Sequence, residues 1–188
     1  ATIDLMLSEA IKTSAIEGED LDRESVRSSL LSLISSDTPP DNSDQKAAGA
    51  AMLLVDVRKN WQIPLTLDLL GKWQSMAVTQ QRYTSILRGT YRNDPWPMQS
   101  VSGPYGREKV HYEAPPAIEV PDEMVRLIDW YNQTSPLSGN KTIPGIARAG
   151  IAHLWVGGIH PFDDGNGRVG RAIADHALSQ SLGYPSAA

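Results

Sequence analysis

Six of the chain's thirteen prolines fall between Pro95 and Pro121, together with Gly103 and Gly106. Proline in a helix interior removes a hydrogen bond and clashes with the preceding turn, so this stretch excludes helix and separates the helical patterns on either side of it. Within it, Gln99-Ser100-Val101 and Lys109-Val110-His111-Tyr112 flank the glycine and proline cluster, the arrangement of a short irregular hairpin. A lone hairpin in a helical protein is either a packed connection or an exposed edge that offers backbone hydrogen bonds to another chain. Composition by itself favours the packed connection.

Outside that stretch, apolar residues recur at helical spacing: Leu7, Ala10 and Ile11; Ala47, Ala50, Ala51 and Leu54; Met124, Leu127, Ile128 and Tyr131. Asp22 ahead of Val26, and Asp41, Ser43 and Asp44 ahead of the alanine-rich stretch, are residue types that cap helix N-termini. The pattern predicts helices near 3–17, 22–35, 44–60, 66–82, 121–134, 144–158 and 165–182. The fold class is therefore all-α, a mainly helical bundle with a short β-hairpin.

A chain of 188 residues suits one domain with a sizeable core. The absence of cysteine excludes a disulfide scaffold, a zinc-thiolate site and a thiol nucleophile. With 17 basic against 22 acidic residues and a net charge of −5, a nucleic-acid partner bound by phosphate neutralisation is not expected. The longest weakly polar run, Pro144 to Ile159, is shorter than a bilayer span and carries Arg148 and His153, so no membrane association is expected either. The chain begins at Ala1 without a secretory pattern, which reads as a cytoplasmic protein and as a piece of a longer one.

The chemistry is concentrated between Ile159 and Arg171. Gly165, Gly167 and Gly170 satisfy G-x-G-x-x-G, but Pro161 after a helical stretch precedes them, and Pro185 stands where a dinucleotide fold needs an acidic residue. A different reading survives. Glycines on both sides of Asn166 open a helix whose first turns carry Arg168 and Arg171, so free amides, the positive dipole end and two guanidinium groups can converge on an anion. Asp164 at the edge of this cradle is a hard oxygen ligand suited to Mg²⁺ against bound phosphate. His160 is the nearby side chain that accepts a proton near neutral pH. Taken singly, the histidine reads as a packing or capping residue, Asp164 as a helix cap and the arginines as a solvated face. Together within twelve residues they are parts for phosphoryl or nucleotidyl transfer. A metal site from His153, His160, His176 and Asp163 matches no common ligand spacing, and His153 reads instead as packing on a helix face beneath the loop.

His160-Pro161-Phe162-x-Asp164-Gly165-Asn166-Gly167-Arg168-x-x-Arg171 resembles the full signature of the Fic family. The resemblance implies a protein adenylyltransferase that moves AMP from ATP to a Ser, Thr or Tyr hydroxyl of a target protein. It assigns His160 as the base, Asp164 as the Mg²⁺ ligand, Gly165, Asn166 and Gly167 as the anion cradle, and Arg168 and Arg171 as partners of the outer phosphates. Phe162 would anchor the loop. Doc-type kinases of the wider family carry lysine where this chain has Gly167, so the glycine points to AMP transfer. UMP or phosphocholine transfer and an inactive nucleotide-binding module are the alternatives.

The resemblance also reverses the reading of the hairpin, because a flap over the active site in this family registers the target segment by strand addition. Lys109, Val110, His111 and Tyr112 match it. Thr13-Ser14-Ala15-Ile16-Glu17-Gly18 resembles the family's inhibitory motif. Thr13 and Glu17, four apart, share a helix face, and Gly18 suits the helix end. The implied partner of Glu17 is Arg171, supplied within the chain or by a neighbouring copy in a homodimer. Residues 1–20 would then be an inhibitory helix packed on a catalytic domain of residues 21–188, and the resemblance also allows Glu17 a second role, orienting a water for removal of AMP.

Overall fold

Side-chain caps set the starts of three helices. Asp22 accepts from the Ser25 N–H at 2.8 Å, Asp44 from Lys46 at 3.1 Å and Thr66 from Leu69 at 3.1 Å, each supplying a partner that the first helical turn lacks. The computed structural model describes residues 2–40, 44–79, 86–138 and 143–186. The expected caps Asp41 and Ser43 lie outside these. The helices are α1 (Thr2–Ile16), α2 (Arg23–Ser36), α3 (Gln45–Lys59), α4 (Leu67–Ala77), α5 (Val120–Gln133), α6 (Gly145–Ile159) and α7 (Asn166–Leu182). Between α4 and α5 lie the strands β1 (Gln99–Ser102) and β2 (Lys109–Glu113), and 3₁₀ turns span Ala117–Glu119 and Pro136–Ser138. The architecture is the expected all-α one with a single two-stranded hairpin among the described residues.

The helix expected over 66–82 is shorter than its pattern. It ends at Ala77, and Val78 is extended (φ −112°, ψ 123°). The chain leaves the helix there because Val78 and Ala77 pack against Gly165, far along the sequence. Buried Gln74 completes the junction: its amide nitrogen donates to the carbonyls of Leu87 at 3.1 Å and Asp164 at 3.2 Å, and its oxygen accepts from the Gly89 N–H at 2.6 Å. Residues 80–82 of that expectation lie outside the described set.

Two apolar clusters share α3. One joins α1, α2 and α3 through Leu7, Val26, Leu30, Ala47 and Ala51. The larger one gathers Trp73, Met124, Leu127, Tyr131, Phe162 and Ile173 from α4 to α7. Within it His176 is fully buried, with Nδ1 2.7 Å from the Tyr131 hydroxyl and Nε2 3.1 Å from the Asn60 carbonyl. A carbonyl can only accept, so Nε2 donates to Asn60 and Nδ1 accepts from Tyr131. Burial pushes the His176 pKa down to about 4. The imidazole is thus a neutral structural brace.

The hairpin is not the packed connection that composition favours. Every residue of β1 and β2 is exposed. The strands pair antiparallel, Gln99 with Glu113, Ser100 with Tyr112, Val101 with Val110 and Ser102 with Lys109. The register shift between Ser100 and Val101 is a bulge that leaves His111 unmatched. Among the described residues no helix is long and apolar enough to cross a membrane.

Candidate active site

The turn between α6 and α7 is held from all sides. His160 caps α6 in the left-handed region (φ 50°, ψ 60°), a costly conformation for a non-glycine residue. The next turn is closed by Asn166, whose Oδ1 accepts from the Phe162 N–H at 2.9 Å while its Nδ2 donates to the Phe162 carbonyl at 2.7 Å. Phe162 itself is buried against the ring of Tyr91, 5.8 Å away. Gly165 then turns the chain into α7 at φ 83°, and a Cβ there would lie 2.8 Å from Val78 Cγ2. Both the dihedral and the packing demand glycine. The first amides of α7 have no intrahelical acceptor and sit at the positive end of the helix dipole.

That helix N-terminus already faces an anion. Glu17 follows the last residue of α1, Gly18 (φ 74°) then turns the chain away, and the Glu17 carboxylate lies 2.5 Å from Arg171 Nη2. A side chain at Gly167 would collide with the same carboxylate oxygen, so Glu17 rests directly on the first turn of α7. Arg171 Nη2 also donates to the Thr13 carbonyl at 3.3 Å. Arg168 is held separately by Glu19 at 2.8 Å, and Glu19 also meets Lys46 at 3.2 Å. Asp164 lies 3.9 Å from Arg168, and its Oδ1 accepts from the Gly165 N–H at 2.6 Å.

The pKa of His160 lies below the ordinary imidazole value. Burial is the main cause, a backbone hydrogen bond to Gly157 opposes it, Arg92 adds to the lowering and Asp164 works against it. The ring is accordingly neutral at pH 7 and able to accept a proton.

The structure brings together His160, Asp164, Gly165, Asn166, Gly167, Arg168, Arg171, Thr13 and Glu17. The Asn166 side chain turns inward onto Phe162 and is engaged in closing the turn. Of the hairpin residues, Tyr112 reaches the turn, its hydroxyl donating to the Gly158 carbonyl at 2.8 Å. His111 pairs with the Ser102 hydroxyl at 2.6 Å, and Lys109 and Val110 lie exposed along β2. The histidines do not converge: His176 is buried in the core, and His153 packs on α7, its Cδ2 3.1 Å from where a Cβ of Gly170 would be. Asp163 accepts from the Leu87 N–H at 3.1 Å. Among the described residues no group of three metal-ligating side chains forms.

Two residues at the site escape sequence reasoning. Glu19 follows Gly18 in an acidic run that reads as a solvated helix end, and only the tertiary fold sets Arg168 against it. Arg92, ahead of the proline cluster, carries no motif that marks it; it is 3% exposed, with its Nε donating to the His160 carbonyl at 2.8 Å.

The profile of the Fic/DOC family matches residues 64–178, from the start of α4 through the hairpin and the turn into α7. The chain belongs to the Fic/DOC family. A second profile, a domain of unknown function (DUF4172), matches residues 1–34, the span of α1 and most of α2. Relatives share the Fic region in part. Protein adenylyltransferase fic-1 of Caenorhabditis elegans is 39% identical over 66 residues, 35% of this chain and 12% of that protein. A Fido domain-containing protein of Dictyostelium discoideum is 44% identical over 62 residues, 33% of this chain and 41% of that protein. A probable protein adenylyltransferase of Aquifex aeolicus is 34% identical over 70 residues, 37% of this chain and 20% of that protein. The chain thus matches less than half the length of each of these relatives.

Solved Fic structures extend the likeness to nearly the whole fold. A Fic domain containing signaling protein from Bacteroides thetaiotaomicron superposes with a TM-score of 0.71 over 96% of this chain and 64% of that one, at 22% identity. A fragment of C. elegans Fic-1 gives 0.61 over 95% of this chain and 49% of that one, at 20% identity.

Proposed function

We propose that this chain is a protein adenylyltransferase that moves AMP from ATP to a Ser, Thr or Tyr hydroxyl of a target protein, and that Glu17 holds it off. One observation carries the reading. The N-terminus of α7 and Arg171 enclose a carboxylate, that of Glu17, at the place where the sequence builds a phosphate cradle. A site that binds an anion of its own chain must release it before it admits another.

In the transfer step, neutral His160 takes the proton of the acceptor hydroxyl as its oxygen attacks the α-phosphorus. A new P–O bond joins AMP to the target, the bond from the α-phosphorus to the bridging oxygen breaks, and pyrophosphate leaves. The backbone amides of Asn166 and Gly167 receive the charge that builds on the phosphoryl oxygens, Gly165 shapes the cradle while its own N–H is held by Asp164, and Arg168 and Arg171 meet the outer phosphates. Asp164 fits Mg²⁺: it is one half-exposed carboxylate beside the cradle, and Mg²⁺ takes one or two carboxylates and completes its shell with phosphate oxygens and water. There the ion would neutralise charge on the bridging phosphates. Exposed β2, with Lys109, Val110, His111 and Tyr112, offers an edge for strand addition by the target.

The direct test is labelling from α-³²P-ATP with Mg²⁺. The Glu17→Gly protein is expected to label itself or a lysate protein well above the unaltered chain, and His160→Ala in that background to abolish it. Labelling from UTP or CDP-choline in place of ATP would change the donor. Failure of every donor would leave a nucleotide-binding module.

A further inference from the structure

We propose that Arg92 is the positioning residue of this site, a guanidinium template that fixes the turn carrying His160 and ties it to the hairpin's exit. The proposal rests on the reading of His160 as the base. Three successive carbonyls of the turn accept from this single residue: Ile159 from Nη2 at 3.4 Å, His160 from Nε at 2.8 Å and Pro161 from the backbone N–H at 2.9 Å. The same Nη2 donates to the Pro115 carbonyl at 2.5 Å, two residues beyond β2. Tyr112 takes the preceding carbonyl, that of Gly158. Four carbonyls in a row, 158 to 161, are thus received by Tyr112 of β2 and by Arg92.

The physical need is clear. The last carbonyls of α6 lack intrahelical donors and carry the negative end of its dipole, so a cation with several donors is the group best suited to them. His160 stands in the left-handed region, where a non-glycine residue stays only if its surroundings hold it. A planar guanidinium reaches several acceptors at fixed angles, whereas a lysine ammonium is a single point charge and a glutamine amide brings two donors. Neither substitute can hold 159, 160 and 115 together. Arg92 also lines the groove of about 660 Å³ that runs past Tyr91, Trp96 and Pro116, so shortening its side chain opens a path from solvent to the vacated position.

The experiment uses the Glu17→Gly chain as the active parent and adds Arg92→Lys, Arg92→Gln or Arg92→Gly, with AMP transfer measured across ATP concentrations. We expect kcat to fall by at least about tenfold in all three while KM for ATP stays within roughly threefold, because the cradle amides, Arg168 and Arg171 do not hang on Arg92. Methylguanidinium added to Arg92→Gly should restore several-fold activity, and methylammonium should not. A folded Arg92→Lys protein with full kcat, or a loss confined to KM, overturns the proposal. If Arg92→Gly fails to fold, the Arg92→Lys measurement decides. If the parent itself transfers no AMP, the reading of His160 fails, and amide exchange then judges Arg92. Its replacement by lysine must speed exchange across residues 159–166 by at least about tenfold and spare residues 173–179, and equal protection of both segments refutes the template.

Discussion

The carboxylate of Glu17 occupies the space that a side chain at Gly167 would need. Glycine at this position leaves room for the Glu17 carboxylate now, and under the proposed function it would leave room for the phosphate that replaces it. Gly167→Ala should push Glu17 off the first turn of α7 and speed amide exchange across residues 13–20. The Glu17–Arg171 pair is partly exposed, so thermal stability should change by no more than about 1 kcal/mol. Unchanged exchange in that segment would show that Glu17 tolerates a methyl group and that the close approach is not restrictive.

Glu19 makes a second clamp on the same helix, and its role differs from that of Glu17. The Arg168 side chain is nearly buried, so Glu19→Gln leaves a guanidinium short of charge compensation and should cost on the order of 1–3 kcal/mol in urea unfolding. Labelling should stay near that of the unaltered chain, since Glu17 still covers Arg171. Strong activation by Glu19→Gln alone would make Arg168, not Arg171, the gated cation.

Asn166→Asp separates the shape of the turn from its charge. Oδ1 could still accept from the Phe162 N–H, but the donor to the Phe162 carbonyl is replaced by an acceptor, and a buried acceptor pair is unfavourable. We expect a loss of roughly 1–3 kcal/mol in stability and a loss of AMP transfer in the Glu17→Gly background. Transfer at the parental rate would show that the turn holds without this bond.

Buried His176 and half-buried Glu9 give the fold opposite responses to pH. His176 has its pKa lowered to about 4 from 6.5, so the unfolded chain binds the proton first and stability falls as pH drops from 6.5 towards 4. Glu9 has its pKa raised to about 7 from 4.5, by burial first and then by Asp175, so its contribution is full below 4.5 and lost as pH rises towards 7. The two nearly cancel between about pH 4.5 and 6.5. Glu9→Gln should unmask the histidines of lowered pKa, His176 with His153 and His160. The free energy of urea unfolding should then climb with pH across that window, each histidine contributing at most about 1.4 kcal/mol per unit. A pH profile unaltered by Glu9→Gln would contradict the opposed pair.

Much of this was legible because it is local. Apolar spacing and capping residues set most helices to within a residue or two, since Asp22 and Asp44 act on amides two or three positions away. The proline cluster announced a hairpin because proline forbids the alternative within its own turn. The turn from His160 to Arg171 was readable because glycine, asparagine and arginine at those intervals shape one loop and one helix start. Contacts between distant residues were less accessible. The early end of α4 follows from Val78 meeting Gly165, and nothing near residue 78 encodes that meeting. Whether the hairpin was exposed depended on what packs beside it.

By itself the sequence determined a helical bundle, an interrupting hairpin and a glycine-rich turn suited to an anion at the start of a helix. These follow from backbone sterics, capping and charge over short intervals. Only the tertiary structure decided that Glu17 lies on Gly167 and Arg171, that Glu19 takes Arg168 and that Arg92 is buried beneath the carbonyls of residues 159 to 161. The physical reason is one of range. A carboxylate or guanidinium looks the same in sequence whether solvated or buried, and its partner is chosen by how whole helices pack, far from its own position in the chain.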